Sequence, residues 1–256
     1  MMDRPVYELF GTPINALSMA DTLLLIERTI EQRGRLLIGV VNAAKLVNMR
    51  RSRALREAMQ ACDVTLADGM SVVWAFRLLG KRLPERVPGV DLMHRMLQQG
   101  QLRGRRVYLF GAAEEVSQVV ACRIVEDYPG IVVAGRRNGF YQPEEEEEIV
   151  AAIRSSKPDI LLVAMSPPKK EQFLARWRDR LEVPICHGVG GAFDVMAGKV
   201  KRAPGLWQKL GLEWFYRVVQ EPRRMWRRYL VTNTLFGWML LEEIMRRIFA
   251  RRSRGT

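Results

Sequence analysis

Short apolar runs of strand length recur along the chain, and most are followed by a segment whose apolar positions repeat every three to four residues. Residues 6–10 (Val-Tyr-Glu-Leu-Phe) read as a strand ahead of Gly11-Thr12-Pro13. A helix over 19–32 follows, capped by Ser18, with Leu23, Leu24, Ile26 and Ile30 as its buried stripe. Residues 36–41 are a nearly continuous apolar run, as expected of a parallel strand covered on both faces. Asn42 ends that strand before a helix carrying Leu46, Val47 and Met49, and a second helical piece spans 52–61. Residues 64–67 are strand again. The chain then breaks at Asp68-Gly69 and resumes as a helix over 70–79 that turns Val72, Val73 and Trp74 inward. Asp91 can cap the next helix, which runs through Leu97. Strands at 105–110, 132–135, 160–164 and 183–187 alternate with further helices, one of them opened by the acidic run 144–148, read as a solvated first turn. This alternation predicts an α/β fold: a mostly parallel, Rossmann-like sheet with helices on both faces.

Past residue 198 the pattern changes to a helical basic appendage, 199–256, set against a core of residues 1–198. Of the net charge of +13 on 256 residues, +10 falls in the appendage, from fourteen Lys/Arg against four Glu. Pro222 suits the first position of a helix. Residues 230–249 are apolar but interrupted by Thr, Asn, Gly237, two Glu and two Arg, well short of the ~20 apolar residues a membrane span requires. An amphipathic helix lying on an anionic membrane surface fits better, and Leu, Phe and Trp on its apolar side argue against nucleic acid.

Composition narrows the chemistry. A hydrophobic fraction of 48% supports a real core. Cys62, Cys122 and Cys186 are few, odd in number and widely spaced, which suits buried thiols of a reducing compartment rather than disulfides or zinc. With only His94 and His187, a histidine-built metal centre is disfavoured. The first residues lack the apolar segment of a secretory signal, so the expected address is cytoplasmic. Asp68 stands at a strand end, where open α/β sheets hold ligands, and reads either as a cap for the following helix or as a functional carboxylate. Gly111 ends the 105–110 strand ahead of a helix, the kind of unit that meets a phosphate. Gly188-x-Gly190-Gly191 lacks the third glycine of a dinucleotide fingerprint, so a nicotinamide-dependent oxidoreductase ranks last. His187 reads as a strand-end histidine with a backbone partner, and no nucleophile elbow is present. Arg217, Arg224 and Arg227, with Arg223 and Arg228 beside them, can grip a pyrophosphate bidentately or form an anionic-lipid patch.

Several segments occur in one order: Val41-Asn42-Ala43, Ala67-Asp68-Gly69-Met70, Glu85-Arg86-Val87-Pro88-Gly89-Val90-Asp91-Leu92, Pro168-Lys169-Lys170-Glu171 and Gly188-Val189-Gly190-Gly191-Ala192-Phe193-Asp194. Arg202-Ala203-Pro204, Leu212-Glu213-Trp214-Phe215-Tyr216-Arg217 and Glu221-Pro222-x-Arg224 complete the set. From about residue 7 to 230 the chain resembles the WecG/TagA/CpsF family of bacterial glycosyltransferases. The resemblance implies an inverting transfer of a sugar from a UDP-sugar to an undecaprenyl-diphosphate-linked saccharide, in surface or exopolysaccharide assembly at the inner face of the cell membrane. It implies neither a metal nor a cofactor, and a homo-oligomer is compatible with it. Asp68 matches the family's proposed general base and Arg86 its arginine beside the acceptor. Asp194 matches the nucleotide-end aspartate, and Arg217, Arg224 and Arg227 match the appendage arginines that hold the diphosphate. Asn42, Lys170, Gly111 and Gly190 complete the expected substrate-binding set. Two positions depart from the pattern: Val40 replaces a frequent threonine and Lys170 a glutamine, pointing to a changed donor or acceptor sugar. The same departures suit the rival reading, a non-catalytic membrane-surface scaffold with a degenerate nucleotide fold.

Overall fold

The computed structural model describes residues 5–252. The chain opens with an antiparallel hairpin, β1 (Val6–Leu9) and β2 (Thr12–Asn15), followed by α1 (Met19–Glu31). It continues through β3 (Leu36–Val41), α2 (Ala43–Arg51), α3 (Arg53–Gln60), β4 (Val64–Ala67), α4 (Met70–Leu78) and α5 (Gly89–Gly100). Next come β5 (Arg106–Gly111), α6 (Glu114–Asp127), β6 (Val132–Arg137), α7 (Glu146–Ser155) and β7 (Ile160–Ala164). The chain closes with α8 (Lys169–Leu181), β8 (Ile185–Gly188), α9 (Ala192–Met196), α10 (Gly205–Lys209), α11 (Glu213–Gln220) and α12 (Pro222–Arg252).

Six strands form one sheet in the order β4-β3-β8-β7-β5-β6, and every pair is parallel. Successive residues of a strand face opposite sides of the sheet, so each apolar run feeds two cores at once. In β3, Ile38 packs with α1, α5, α6 and α9 on one face, whereas its neighbour Leu37 packs with α7 and α8 on the other. A third cluster, under the β3–β4 end, joins Val41 and Ala67 to α2, α3 and α4, to Leu9 and Ile14 of the hairpin, and to Phe236 and Met239 of α12. α12 lies along α2, and the Phe236 ring meets the Phe10 ring edge-on at 5.6 Å between centroids. The C-terminal helix is therefore built into the fold rather than trailing from it. Among the described residues, no helix is long and apolar enough to cross a membrane.

Local chemistry explains the first three helix starts. Ser18 caps α1 in a reciprocal box with Asp21, Asn42 caps α2 through Lys45 N at 3.0 Å, and Ser52 caps α3. Several expectations need correction. β2 lies where only a Gly-Thr-Pro break was read. Leu24 and Trp74 point outward, 49% and 44% exposed, because at those phases the helix has turned past its neighbours. Asp91 does not cap α5, which starts two residues earlier at Gly89; it sits in the first turn and pairs with Arg202. Within the acidic run, Glu146 is tucked in, accepting from Trp177 Nε1 at 2.6 Å and Arg176 at 3.0 Å. All three cysteines are free thiols, but Cys122 is exposed.

Gly111 has a packing duty. Its φ is +107°, and a Cβ there would lie 2.2 Å from the carbonyl oxygen of Ala164 on the paired strand. Gly111→Ala is expected to lower the free energy of unfolding by more than about 2 kcal/mol, read by urea denaturation.

Candidate active site

β3 leads into α2 on one face of the sheet, and β8 leads into α9 on the opposite face. Neighbouring strands whose connections part in this way open a crevice at their C-terminal ends, the usual ligand position in a doubly wound sheet. A cavity of about 450 Å³ occupies that place. Val40 and Asn42 at the end of β3, Asp68 at the end of β4 and the Gly188–Gly191 turn after β8 form its sheet side. Elements of the C-terminal region close the other side, through Arg202, Glu213, Trp214 and Arg217, and through Arg228, Tyr229, Asn233 and Phe236 along one face of α12.

Asp68 does not cap the helix that follows it. Gly69 occupies the N-cap of α4 and makes no side-chain cap. The carboxylate instead turns across the crevice: Oδ2 accepts from Asn42 Nδ2 at 3.2 Å, and Oδ1 accepts from Gly89 N, the first amide of α5, at 3.1 Å. The Asn42 side chain has no freedom in this arrangement, because its Oδ1 is committed to Lys45 N. Each oxygen of Asp68 still has acceptor capacity toward the cavity.

The cations facing Asp68 come from several elements. Arg86 donates to Glu213 Oε2 at 3.2 Å and to Gln208 Oε1 at 3.4 Å, so residues around α10 and α11 orient it. Arg202 makes a bidentate ion pair with Asp91, one bond of 2.7 Å, which ties the start of the appendage to α5. Arg217 and Arg228 reach the cavity from α11 and α12. Trp74 lies against Gly211, where a Cβ would stand 2.8 Å from the indole; the absence of a side chain there lets the appendage close on α4.

Beneath the glycine turn lies a buried ionic cluster. Lys45 Nζ and Lys170 Nζ both contact Glu171 Oε1, at 2.9 and 2.6 Å, and none of the three side chains is more than 9% exposed. Burial, reinforced by Lys45, pushes the Lys170 ammonium down to about 8 against the pull of Glu171 and Asp68. His187 on β8 is fully buried, with Nδ1 3.2 Å from the carbonyl of Ile38. The backbone partner expected for it is present, and burial pushes its imidazole down to about 4.

Asn42, Asp68, Arg86, Lys170, Gly190 and Arg217 thus share one cavity. Gly111 lies two strands away from β8 and does not line it. Asp194 stands behind the lining, its Oδ2 3.9 Å from the Cβ position of Gly191. Arg227 is exposed outside the cavity wall, and the side chain of Arg224 lies outside the described residues. Arg228 and Arg202, which the motifs include without a site role, and Lys45, which they do not include, are further functional candidates. Helical phase could have promoted Arg228, since it shares a face with Asn233 and Phe236. Lys45 carried no sequence signal, because its partner is 126 positions away.

The model of the family described as "Glycosyl transferase WecG/TagA/CpsF family" matches residues 7–250. The chain is 32% identical over 220 residues to the N-acetylglucosaminyldiphosphoundecaprenol N-acetyl-beta-D-mannosaminyltransferase of Bacillus subtilis (strain 168), covering 86% of this chain and 85% of that one. It is 33% identical over 224 residues to the protein of the same name from Bacillus spizizenii, covering 85% of this chain and 86% of that one.

The burial of His187 makes the fold acid-sensitive. The unfolded chain takes up this proton near its ordinary value of about 6.5 and the folded chain only near 4, so stability falls as pH drops between the two. Between pH 7 and 4.5 the wild type is expected to lose about 2–3 kcal/mol more than His187→Gln, compared by urea denaturation at both pH values.

Proposed function

The chain belongs to the WecG/TagA/CpsF glycosyltransferase family, and on that premise we propose that it moves a sugar, with inversion, from a UDP-sugar to an undecaprenyl-diphosphate-linked saccharide. The geometry of Asp68 carries this reading: a carboxylate anchored on both oxygens, yet open to a cavity whose opposite wall is cationic. A hydroxyl of the acceptor attacks the anomeric carbon while Asp68 takes its proton. The bond from that carbon to the β-phosphate oxygen breaks, and UDP departs with the electron pair. Fixed cations stabilise charge developing on a leaving diphosphate, a duty that suits Arg217 and Arg228, while Arg227, outside the cavity wall, and Arg224 are assigned to phosphates at the membrane surface. Arg86 stands beside Pro88 and Gly89 at the edge of the same cavity and is suited to the acceptor. Asp194, behind the glycine turn, is assigned to the nucleotide end.

The appendage supplies the membrane contact in this proposal. Trp226, Leu230, Trp238, Leu241 and Phe249 are exposed along α12, with arginines interleaved. Such a surface binds anionic lipid through aromatic burial and cation attraction. Docking places the cavity that α11 and α12 close at the bilayer surface, where a lipid-linked acceptor lies.

Asp68→Asn is the direct test. The introduced amide would face the Nδ2 of Asn42, and rotating Asn42 to accept from it would give up the cap of α2, a cost of about 1 kcal/mol that the fold can bear. Transfer is expected to fall by about 10²–10⁴, measured as UDP release from UDP-sugars with a lipid-diphosphate acceptor, while UDP still binds. Unchanged turnover would remove Asp68 from the mechanism, and a wild type that releases no UDP from any donor would favour the scaffold. For the membrane contact, deleting residues beyond 200 is uninformative, because Phe236 and Met239 belong to the core. Trp226→Glu with Trp238→Glu is expected to weaken binding to vesicles containing phosphatidylglycerol by more than about tenfold in a sedimentation assay. Binding to uncharged vesicles of equal strength would refute the electrostatic part of the proposal.

A further inference from the structure

The buried cluster under the glycine turn holds two ammonium groups on one carboxylate. Lys45 from α2 and Lys170 from the first turn of α8 share a single carboxylate oxygen of Glu171, and Glu171 Oε2 has no hydrogen-bond partner among the described residues. The surroundings supply little else. Among the described residues Lys45 Nζ otherwise meets only the sulfur of Met59, at 4.0 Å. The nearby Cys62 thiol is pushed up to about 12 by burial, and His187 is neutral. Asp68, the next carboxylate, attracts Lys170, but its hydrogen bonds go to Asn42 and Gly89 rather than to either ammonium. A surplus positive charge at such depth is costly unless an anion completes it.

The cluster also has an opening. Lys170 lines the cavity directly below Gly188 and Gly190. A Cβ on Gly188 would press on Lys170 Cδ and Cε at 3.2 Å, and one on Gly190 would come 3.9 Å from Nζ. With no side chains on these residues, a ligand can settle on the turn and reach the ammonium. The start of α8 adds its dipole with the same sign.

We propose that Lys45, Glu171 and Lys170 form an oxyanion subsite of the donor pocket, in which Lys170 Nζ takes a charged oxygen of the nucleotide sugar. The inference rests on the UDP-sugar reading above. That oxygen belongs either to the diphosphate or to a carboxylate on the transferred sugar. Where the family segment carries glutamine, the donor would meet a neutral amide; here it meets a cation.

The test uses the full chain and four probes, UDP, UMP, UDP-glucose and UDP-glucuronate, titrated calorimetrically against wild type, Lys170→Gln and Lys170→Arg. A diphosphate contact predicts that Lys170→Gln weakens UDP at least tenfold more than UMP, with Lys170→Arg near wild type. A sugar-carboxylate contact predicts that Lys170→Gln leaves UDP unchanged but erases a preference of at least tenfold for UDP-glucuronate over UDP-glucose. In both cases the charged interaction of the wild type weakens as pH rises past about 8, where the ammonium is lost, and that of Lys170→Arg does not. A folded Lys170→Gln that binds all four probes like wild type overturns the subsite while leaving the donor reading intact. If that variant does not fold, equal pH profiles for wild type and Lys170→Arg overturn it instead. A wild type that binds none of the four overturns the donor reading and the subsite with it.

Discussion

A carboxylate withdrawn from water must find donors, and Asp68 finds its two on different elements: the side chain of Asn42 after β3 and the first amide of α5. These two hydrogen bonds bring together the ends of adjacent strands and the start of a helix that follows a ten-residue connection. Asn42 can serve only because its other polar atom is used as the cap of α2. Position and orientation of the carboxylate are therefore set from two sides, by a capped side chain and by a backbone amide, rather than by one neighbour. Everything that faces Asp68 is placed relative to that anchor.

Opposite it, the cavity wall is assembled from the C-terminal region. Among the described residues the C-terminal region is held to the core by three ion pairs, Arg202 with Asp91, Arg86 with Glu213 and Arg50 with Glu242, and by the burial of Phe236 and Met239. The ion pairs are only partly shielded and contribute modestly to stability; burial of the two apolar side chains contributes more. What the ion pairs add is direction, since a bidentate guanidinium fixes angle as well as distance. A site completed by an element that also carries exposed tryptophans suits a substrate with its reacting end attached to a membrane lipid.

Charge in the crevice is graded. Near the appendage it is carried by arginines that stay ionised at any ordinary pH, whereas at the floor it is carried by a lysine that burial brings to about 8. A lysine so placed can respond to a ligand, gaining its full charge when an anion arrives. One charge counts for more at such a buried position than on the exposed rim.

Much of this was legible in the residues themselves. The strands β3, β5, β7 and β8 and helices α1, α6 and α12 follow from apolar runs, periodicity and cap residues, because each depends on contacts within a few positions. The parallel sheet follows from their alternation. The ordered motifs pointed to Asp68, Arg86 and Arg217, which share the cavity. What tertiary structure alone decided were relations across long separations. Asp68 turned from its own helix to the start of another, Arg228 rather than Arg227 faced the cavity, Trp74 turned outward against Gly211, and Gly111 served strand packing. Lys45 met Glu171 across 126 positions. A sequence specifies local conformation through short-range sterics and hydrogen bonds, but which polar groups share a buried space depends on how complete elements pack, and only the folded chain carries that information.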